Sequence, residues 1–275
     1  MDAYAYQNDE LLVFVAAGNS GANDASQTVG EPATAKNIIS VGASQSFGSD
    51  KTKDMKGPAY MAGFSSRGPT LDGRTKPEII APGQWIVSAA ARTNEVGECD
   101  PDDDKPPGPG EAKSGLISME GTSISTPIAA GAAALVRQYL REGFYPSGER
   151  NRKDSVPNPS AALIKAILLN GGQDMRGVDN GNGKVTELES YDNTQNFGRI
   201  SLMDSLYIRH KSNVHLKIWD RMTLEGNNAD SFNIVSVHLN EDFKCYHLNL
   251  MNQMFRYERI SICLQDAIQQ PSQQH

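Results

Sequence analysis

Residues 11–21 read LLVFVAAGNSG, a run of five apolar residues that breaks abruptly into Ala-Ala-Gly-Asn-Ser-Gly. An uninterrupted apolar run of this length, bounded by turn residues, has the pattern of a strand buried on both faces, as in parallel sheets covered by helices. Open α/β folds gather their ligands beyond the carboxyl ends of such strands, so Asn19 stands where a polar side chain can point into a cleft. By itself Asn19 is equally well read as a turn residue, because asparagine beside glycine tolerates left-handed backbone.

A second stretch makes the cleft reading the stronger one. Residues 121–136, GTSISTPIAAGAAALV, set a Gly-Thr-Ser-Ile-Ser-Thr-Pro cluster against a helix of small and aliphatic residues. Thr122, Ser123 and Ser125 suit the cap of a buried helix, since their hydroxyls accept the orphan N–H groups of a first turn. Pro127 is tolerated in a first turn, which places the helix over residues 126–140, and the alanines let it pack closely within a core. The same first turn offers a nucleophile beside free N–H donors and the positive end of a helix dipole, an arrangement that stabilises a developing oxyanion.

Taken with FSSRGPTLDGRTKPEIIAPG at residues 64–83, the AAGNSG of residues 16–21 and the GTSISTPIAAG of residues 121–131 resemble the subtilisin-like serine proteases, the subtilases, in motif order and spacing. Likeness continues through NPSAALIKAILLNGG at 158–172 and FGRISLMDSL at 197–206, and is nearest to subtilases that carry a C-terminal β-sandwich. The resemblance implies a parallel sheet with flanking helices and hydrolysis of peptide bonds through an acyl-enzyme. It assigns Ser123 as nucleophile and Asn19 as the side-chain donor of the oxyanion hole. It also makes Ala16, Ala17 and Gly18 the segment that walls the first specificity pocket and pairs with an extended substrate by strand addition. Polypeptides are the implied substrates, and the chemistry implied needs no cofactor.

One departure from the family pattern is large. A serine needs a positioned base, ordinarily a histidine oriented by a carboxylate, and subtilases supply these in the order Asp, His, Ser. Here the histidines are His210, His215, His238, His247 and His275, all after Ser123, and no Asp-Ser-Gly, Asp-Thr-Gly or His-Gly-Thr-His precedes it. Asp2 and Asp9 lie in MDAYAYQNDE, which reads as an exposed helix leading into the first strand. The sequence is therefore expected to be the C-terminal part of a longer protease. The alternative is a non-catalytic relative that retains a peptide cleft.

Composition sets outer limits. With 275 residues, 38% hydrophobic and 21% charged, the chain can form one full domain and part of another. A net charge of −7 without a basic cluster argues against nucleic acid as a partner. No apolar run is long enough to span a bilayer, and the acidic amino terminus lacks the pattern of a signal peptide; the family resemblance is compatible with a secreted or extracellular protein, and the compartment stays open. Cys99, Cys245 and Cys263 form neither a metal pattern nor a disulfide framework.

Residues 37–43 and 85–90 read as further strands and 160–169 as a helix punctuated by Pro159 and Gly171-Gly172, which together give an α/β alternation. ECDPDDDKPPGPGE, within residues 93–113, is an acidic Pro/Gly-rich insertion. It and DNGNGKVTE at 179–187 hold carboxylates of the kind that bind structural calcium but lack spaced ligands, so no metal site is assigned. After Leu206 the pattern changes to alternation, VHLKIW and FNIVSVHL, which predicts a partial β-sandwich over 207–264 after a catalytic unit over 1–206. The Gln-rich residues 265–275 read as a disordered tail.

Overall fold

The computed structural model describes residues 1–47, 55–89, 116–181, 183–212, 214–218 and 220–221. A short helix, α1 (Asp2–Gln7), precedes β1 (Phe14–Ala16), which runs parallel to β2 (Ile39–Ser44) with Phe14 opposite Ile39 and Ala16 opposite Val41. On its other edge β2 runs parallel to β4 (Ile79–Pro82), Val41 opposite Ile79. At its carboxyl end β2 also meets β3 (Tyr60–Ala62), antiparallel through Ser44 and Met61. β3 continues in parallel to β7 (Gly177–Asp179), which closes an antiparallel hairpin with β8 (Val185–Thr186). A separate two-stranded antiparallel sheet joins β5 (Ile86–Ala89) to β6 (Leu116–Met119).

Alternation along β2 builds the core. Ile39 and Val41 share one face, with Ile79 and Ala81 of β4 beside them, and all four are fully buried. Over this face lies α2 (Thr122–Arg141), through Ala129, Ala133, Val136 and Leu140 at helical spacing, and behind it α3 (Ala161–Asn170) through Leu163, Ile164, Ile167 and Leu168. The opposite face carries a smaller cluster of Met61, Ile80, Met175 and Val178. The expected parallel sheet with flanking helices is thus present. α3 begins as its sequence indicates: Ser160 Oγ accepts from Leu163 N at 3.0 Å, and Gly171 ends it. A last short helix, α4 (Leu202–Ser205), packs with α3.

Several expectations need correction. α2 starts at Thr122 rather than at residue 126, so Pro127 lies in the second turn and leaves the carbonyl of Ser123 without its usual i+4 donor. Tertiary bonds to Thr122, described below, hold the extra turn in place. Nor is α2 deeply buried all round: Ile128 and Leu135 are exposed. β1 is shorter than residues 11–15 and only half-buried, because β2 is its sole neighbour among the described residues. β5 lies outside the main sheet, with Val87 exposed.

Beyond Leu206 the described chain stays on the same core. Leu216 and Ile218 pack against the main cluster, Val214 is buried, and Asp220 accepts from Ser160 N at 2.9 Å. Residues 214–218, where alternation predicts a strand, are irregular apart from an isolated bridge at His215. The acidic insertion, the three cysteines, FNIVSVHL and the Gln-rich end fall outside the described residues.

Inside the sheet is a buried ionic cluster. Lys76 pairs with Glu78, whose other carboxylate oxygen accepts from Ser40 N and Ser40 Oγ, both at 2.7 Å. Lys165 of α3 lies 3.5 Å from Glu78 and donates to Ile38 O at 2.9 Å. Burial depresses the Lys76 ammonium below its ordinary value of 10.5, against the attraction of Glu78.

Candidate active site

The loop after β1 meets the first turn of α2. Asn19 Oδ1 accepts two hydrogen bonds, from Thr122 N at 2.9 Å and Thr122 Oγ1 at 3.0 Å, while the same Oγ1 accepts from Gly18 N at 3.1 Å. With Oδ1 held by two donors, the amide Nδ2 is left facing outward. Ser123, the next residue, is exposed, whereas Thr122 and Ser125 are buried. The anchoring residue and the exposed hydroxyl are therefore different residues. Thr122 does the anchoring, the N-cap residue Gly121 has no side chain to cap the helix so that Asn19 takes the first N–H instead, and Ser123 Oγ makes no hydrogen bond among the described residues.

Gly121 supplies the space in front of these groups. Its φ of +144° disfavours any side chain, and a Cβ built there would lie 3.2 Å from Ser123 Oγ and 3.4 Å from Asn19 Nδ2. Oxygen and amide thus face a common gap that glycine leaves empty. The N–H of Ser123, in the first turn and 3.8 Å from that point, is one of the donors without an intrahelical acceptor.

Behind the loop, residues 64–66 act as a brace that motif reading left without a role. Ser66 N donates to Gly18 O at 2.9 Å, Ser66 Oγ accepts from Ser20 N at 3.0 Å, and Gly21 N donates to Phe64 O at 2.9 Å. Gly83 at the end of β4 is likewise structural: its carbonyl accepts from Gly121 N at 2.8 Å, and a Cβ there would collide with Ser125 Oγ at 1.9 Å. Farther along, Asp24 is held below its usual range by Arg67, whose Nη1 lies at 2.5 Å, with Asn180 and Thr186 as further donors. Those contacts tie the loop to the β7–β8 hairpin. Asp179 in that hairpin accepts from Gln45 Nε2 at 2.9 Å and Gly181 N at 3.0 Å, so its oxygens are already engaged.

Ala17 is buried, while Ala16 and Gly18 are half-buried; of the three, Ala16 turns its backbone groups to the edge of β1 that β2 does not cover. The histidines within the described residues lie elsewhere. His215 stacks on Tyr207 with ring centroids 4.7 Å apart, and the Tyr207 carbonyl accepts from Tyr139 Oη at 2.7 Å. Tyr139 is sixteen residues along α2 from Ser123, about 24 Å at 1.5 Å per residue. His210 is exposed in the turn just beyond, where Arg209 N donates to Gly148 O.

Residues 1–185 match the profile described as the Subtilase family. The chain belongs to the subtilase family. Members of this family are serine peptidases. The serine protease AprX of Bacillus subtilis is 39% identical over 169 residues, 54% of this chain and 35% of that protein. The serine protease/ABC transporter B family protein tagB of Dictyostelium discoideum is 33% identical over 160 residues, 54% of this chain and 8% of that protein. This subtilase chain thus spans about a third or less of the length of these relatives. Among solved structures, Sphericase is similar with a TM-score of 0.47 and 22% identity, over 73% of this chain and 50% of that one. No helix among the described residues is long and apolar enough to cross a membrane.

Proposed function

We propose that the chain carries the nucleophile half of a serine endopeptidase site. Ser123 Oγ attacks the scissile carbonyl, and its proton passes to a base. Asn19 Nδ2 and the Ser123 N–H hold the oxyanion. Collapse expels the amine, which takes the proton back, and water then hydrolyses the ester by the same route. Of Ala16, Ala17 and Gly18, Ala16 offers its N–H and C=O to the substrate backbone as an added strand, while Ala17 and Gly18, whose own backbone groups are engaged, line the substrate. Polypeptides are the substrates, and every group invoked is a protein side chain or backbone donor, so the chemistry calls for no cofactor. What supports this reading above all is the shared gap at Gly121, with a nucleophile and an amide donor on either side of it.

The base and its orienting carboxylate come, in this proposal, from polypeptide that is not part of these 275 residues. A second reading is a peptide-binding subtilase without catalysis. The histidines that all follow Ser123 favour it, together with the lack of an acceptor for Ser123 Oγ among the described residues. A fluorophosphonate probe on the full-length protein separates the two. Covalent labelling that Ser123→Ala abolishes and Ser125→Ala preserves supports the protease. Absence of labelling, with peptide binding retained, supports the second reading.

A further inference from the structure

The segment that follows the oxyanion loop returns to it through Gly30, whose N–H donates to Ala17 O at 3.3 Å. A Cβ at Gly30 would meet nothing within 4 Å, so open space adjoins the strand edge where the peptide is proposed to lie. What fixes that wall is the turn after it: Ala33 N donates to Gly30 O at 2.9 Å and Ala35 N to Pro32 O at 3.0 Å. Two cations from the 70–78 segment hold the far side of the turn. Arg74 Nη1 donates to Thr34 O and Lys76 Nζ to Ala35 O, both at 2.7 Å.

Lys76 belongs to the buried cluster with Glu78 and supports the fold. Arg74 differs. Its Nε donates to Asp72 Oδ2 at 2.8 Å, and Asp72 Oδ1 accepts from Thr70 Oγ1 at 2.5 Å, while both members of the ion pair are substantially exposed. An exposed pair of this kind adds little to stability. Its geometry does something else: one planar guanidinium spans a carboxylate and a backbone carbonyl at once, which a point charge cannot do as well.

We propose that Arg74, oriented by Asp72, is a positioning residue for substrate selection. By clamping Thr34 it holds the 30–35 turn, and so the wall at Gly30, against which a large residue on the acyl side of the scissile bond packs. The inference rests on the proposed peptide register along Ala16, with Ala17 and Gly18 lining it. A small residue does not reach that wall, so the clamp acts on large side chains selectively.

The test is steady-state hydrolysis by the full-length protein of tetrapeptide anilides ending in Ala, Leu or Phe. Arg74→Ala is expected to raise KM for the Phe substrate about tenfold and for the Ala substrate less than twofold, with kcat nearly unchanged. Asp72→Asn follows the same order with a smaller effect, and Arg74→Lys falls between wild type and Arg74→Ala. Thermal midpoints should move by no more than about 2 °C, since the pair is exposed. Equal changes for all three substrates, or a fall in kcat at constant KM, would overturn the role of Arg74. Wild-type protein that hydrolyses none of the peptides would overturn the peptide register as well, and fluorophosphonate labelling of Ser123 tells whether the protease reading falls with it.

Discussion

Thr122 grips the side-chain oxygen of Asn19 twice, through its backbone N–H at 2.9 Å and its hydroxyl at 3.0 Å. The amide nitrogen is thereby aimed without touching the gap it faces. Thr122→Val keeps the shape and the backbone donor but removes the hydroxyl, and also takes the acceptor from Gly18 N. In a protein completed with the proposed base we expect kcat to fall about tenfold with little change in KM, as for a loss felt in the transition state. Thr122→Ser should restore most of it. Asn19→Ala should cost more, about 10²–10³ in kcat, the range known for removing this donor in subtilisin. An unchanged kcat in Asn19→Ala would leave Asn19 as a turn residue only.

Gly121→Ala tests the gap itself. The added methyl would sit within 3.4 Å of both Ser123 Oγ and Asn19 Nδ2 in a backbone conformation that alanine avoids. Strain of this kind costs about 1–3 kcal/mol, tolerable in a stable domain, whereas a filled gap removes the space for a reacting carbonyl. The expected outcome is a folded protein, by circular dichroism, whose kcat/KM is reduced at least about a hundredfold. Near-normal turnover would mean that the substrate carbonyl sits elsewhere.

The ionic cluster predicts a stability effect remote from the chemistry. Glu78→Gln leaves Lys76 and Lys165 buried together without a counter-charge and weakens the acceptor for Ser40. Removing one partner of a buried pair costs about 3–5 kcal/mol, a fall of roughly 10 °C in the melting midpoint for a domain of this size. Lys165→Met takes away surplus positive charge but leaves Ile38 O without its donor, so a smaller drop is expected. Calorimetry of both variants that shows equal stability to wild type would mean the cluster carries no net energy.

How far these features could be read beforehand depends on what created them. β2 was legible within two residues at either end, because Ile-Ile-Ser-Val-Gly-Ala is buried on both faces and little else fits such a run. α3 was legible from its own punctuation, Pro159 and Gly171-Gly172, while the cap at Ser160 emerged only in the structure. Asn19 and Ser123 were legible only as members of motifs. Their meeting is a tertiary fact, and Thr122 looked like a cap because nothing local reveals a partner 103 residues away. The start of α2 was missed since Pro127 argues locally for a later start, while bonds from Asn19 favour the earlier one. β3, β7 and β8, of two or three residues each, exist through pairing across the chain and leave no periodic signal. The clamp of Arg74 on Thr34 is of the same kind, a charged side chain that finds a carbonyl 40 residues upstream.

The last prediction concerns these 275 residues expressed alone. Along β1, Val13 O and Ala17 N bond to β2, so Phe14 and Ala16 direct their N–H and C=O groups to the uncovered edge. Apolar side chains are exposed as well, Ile128 and Leu135 on α2 and Tyr4 and Tyr6 on α1. An open strand edge is a template for self-association, and exposed apolar side chains add to that tendency. Chemically, Ser123 has no acceptor for its proton among the described residues, and in subtilisin loss of the histidine alone costs about 10⁶ in kcat, nearly as much as loss of the whole triad. The isolated chain is therefore expected to hydrolyse no peptide detectably, to bind a hydrophobic dye, and to sediment as aggregates. The full-length protein should be monodisperse and labelled at Ser123. The two should be compared by analytical ultracentrifugation, dye binding and peptide hydrolysis at matched concentration. Ser123-dependent hydrolysis by the isolated chain would require His210, His215 or a later histidine to reach the serine, and would overturn the proposal that the base lies outside it. A monodisperse chain with a sharp thermal transition, peptide binding and no hydrolysis would instead favour the non-catalytic reading, with the β1 edge as a surface the fold tolerates uncovered.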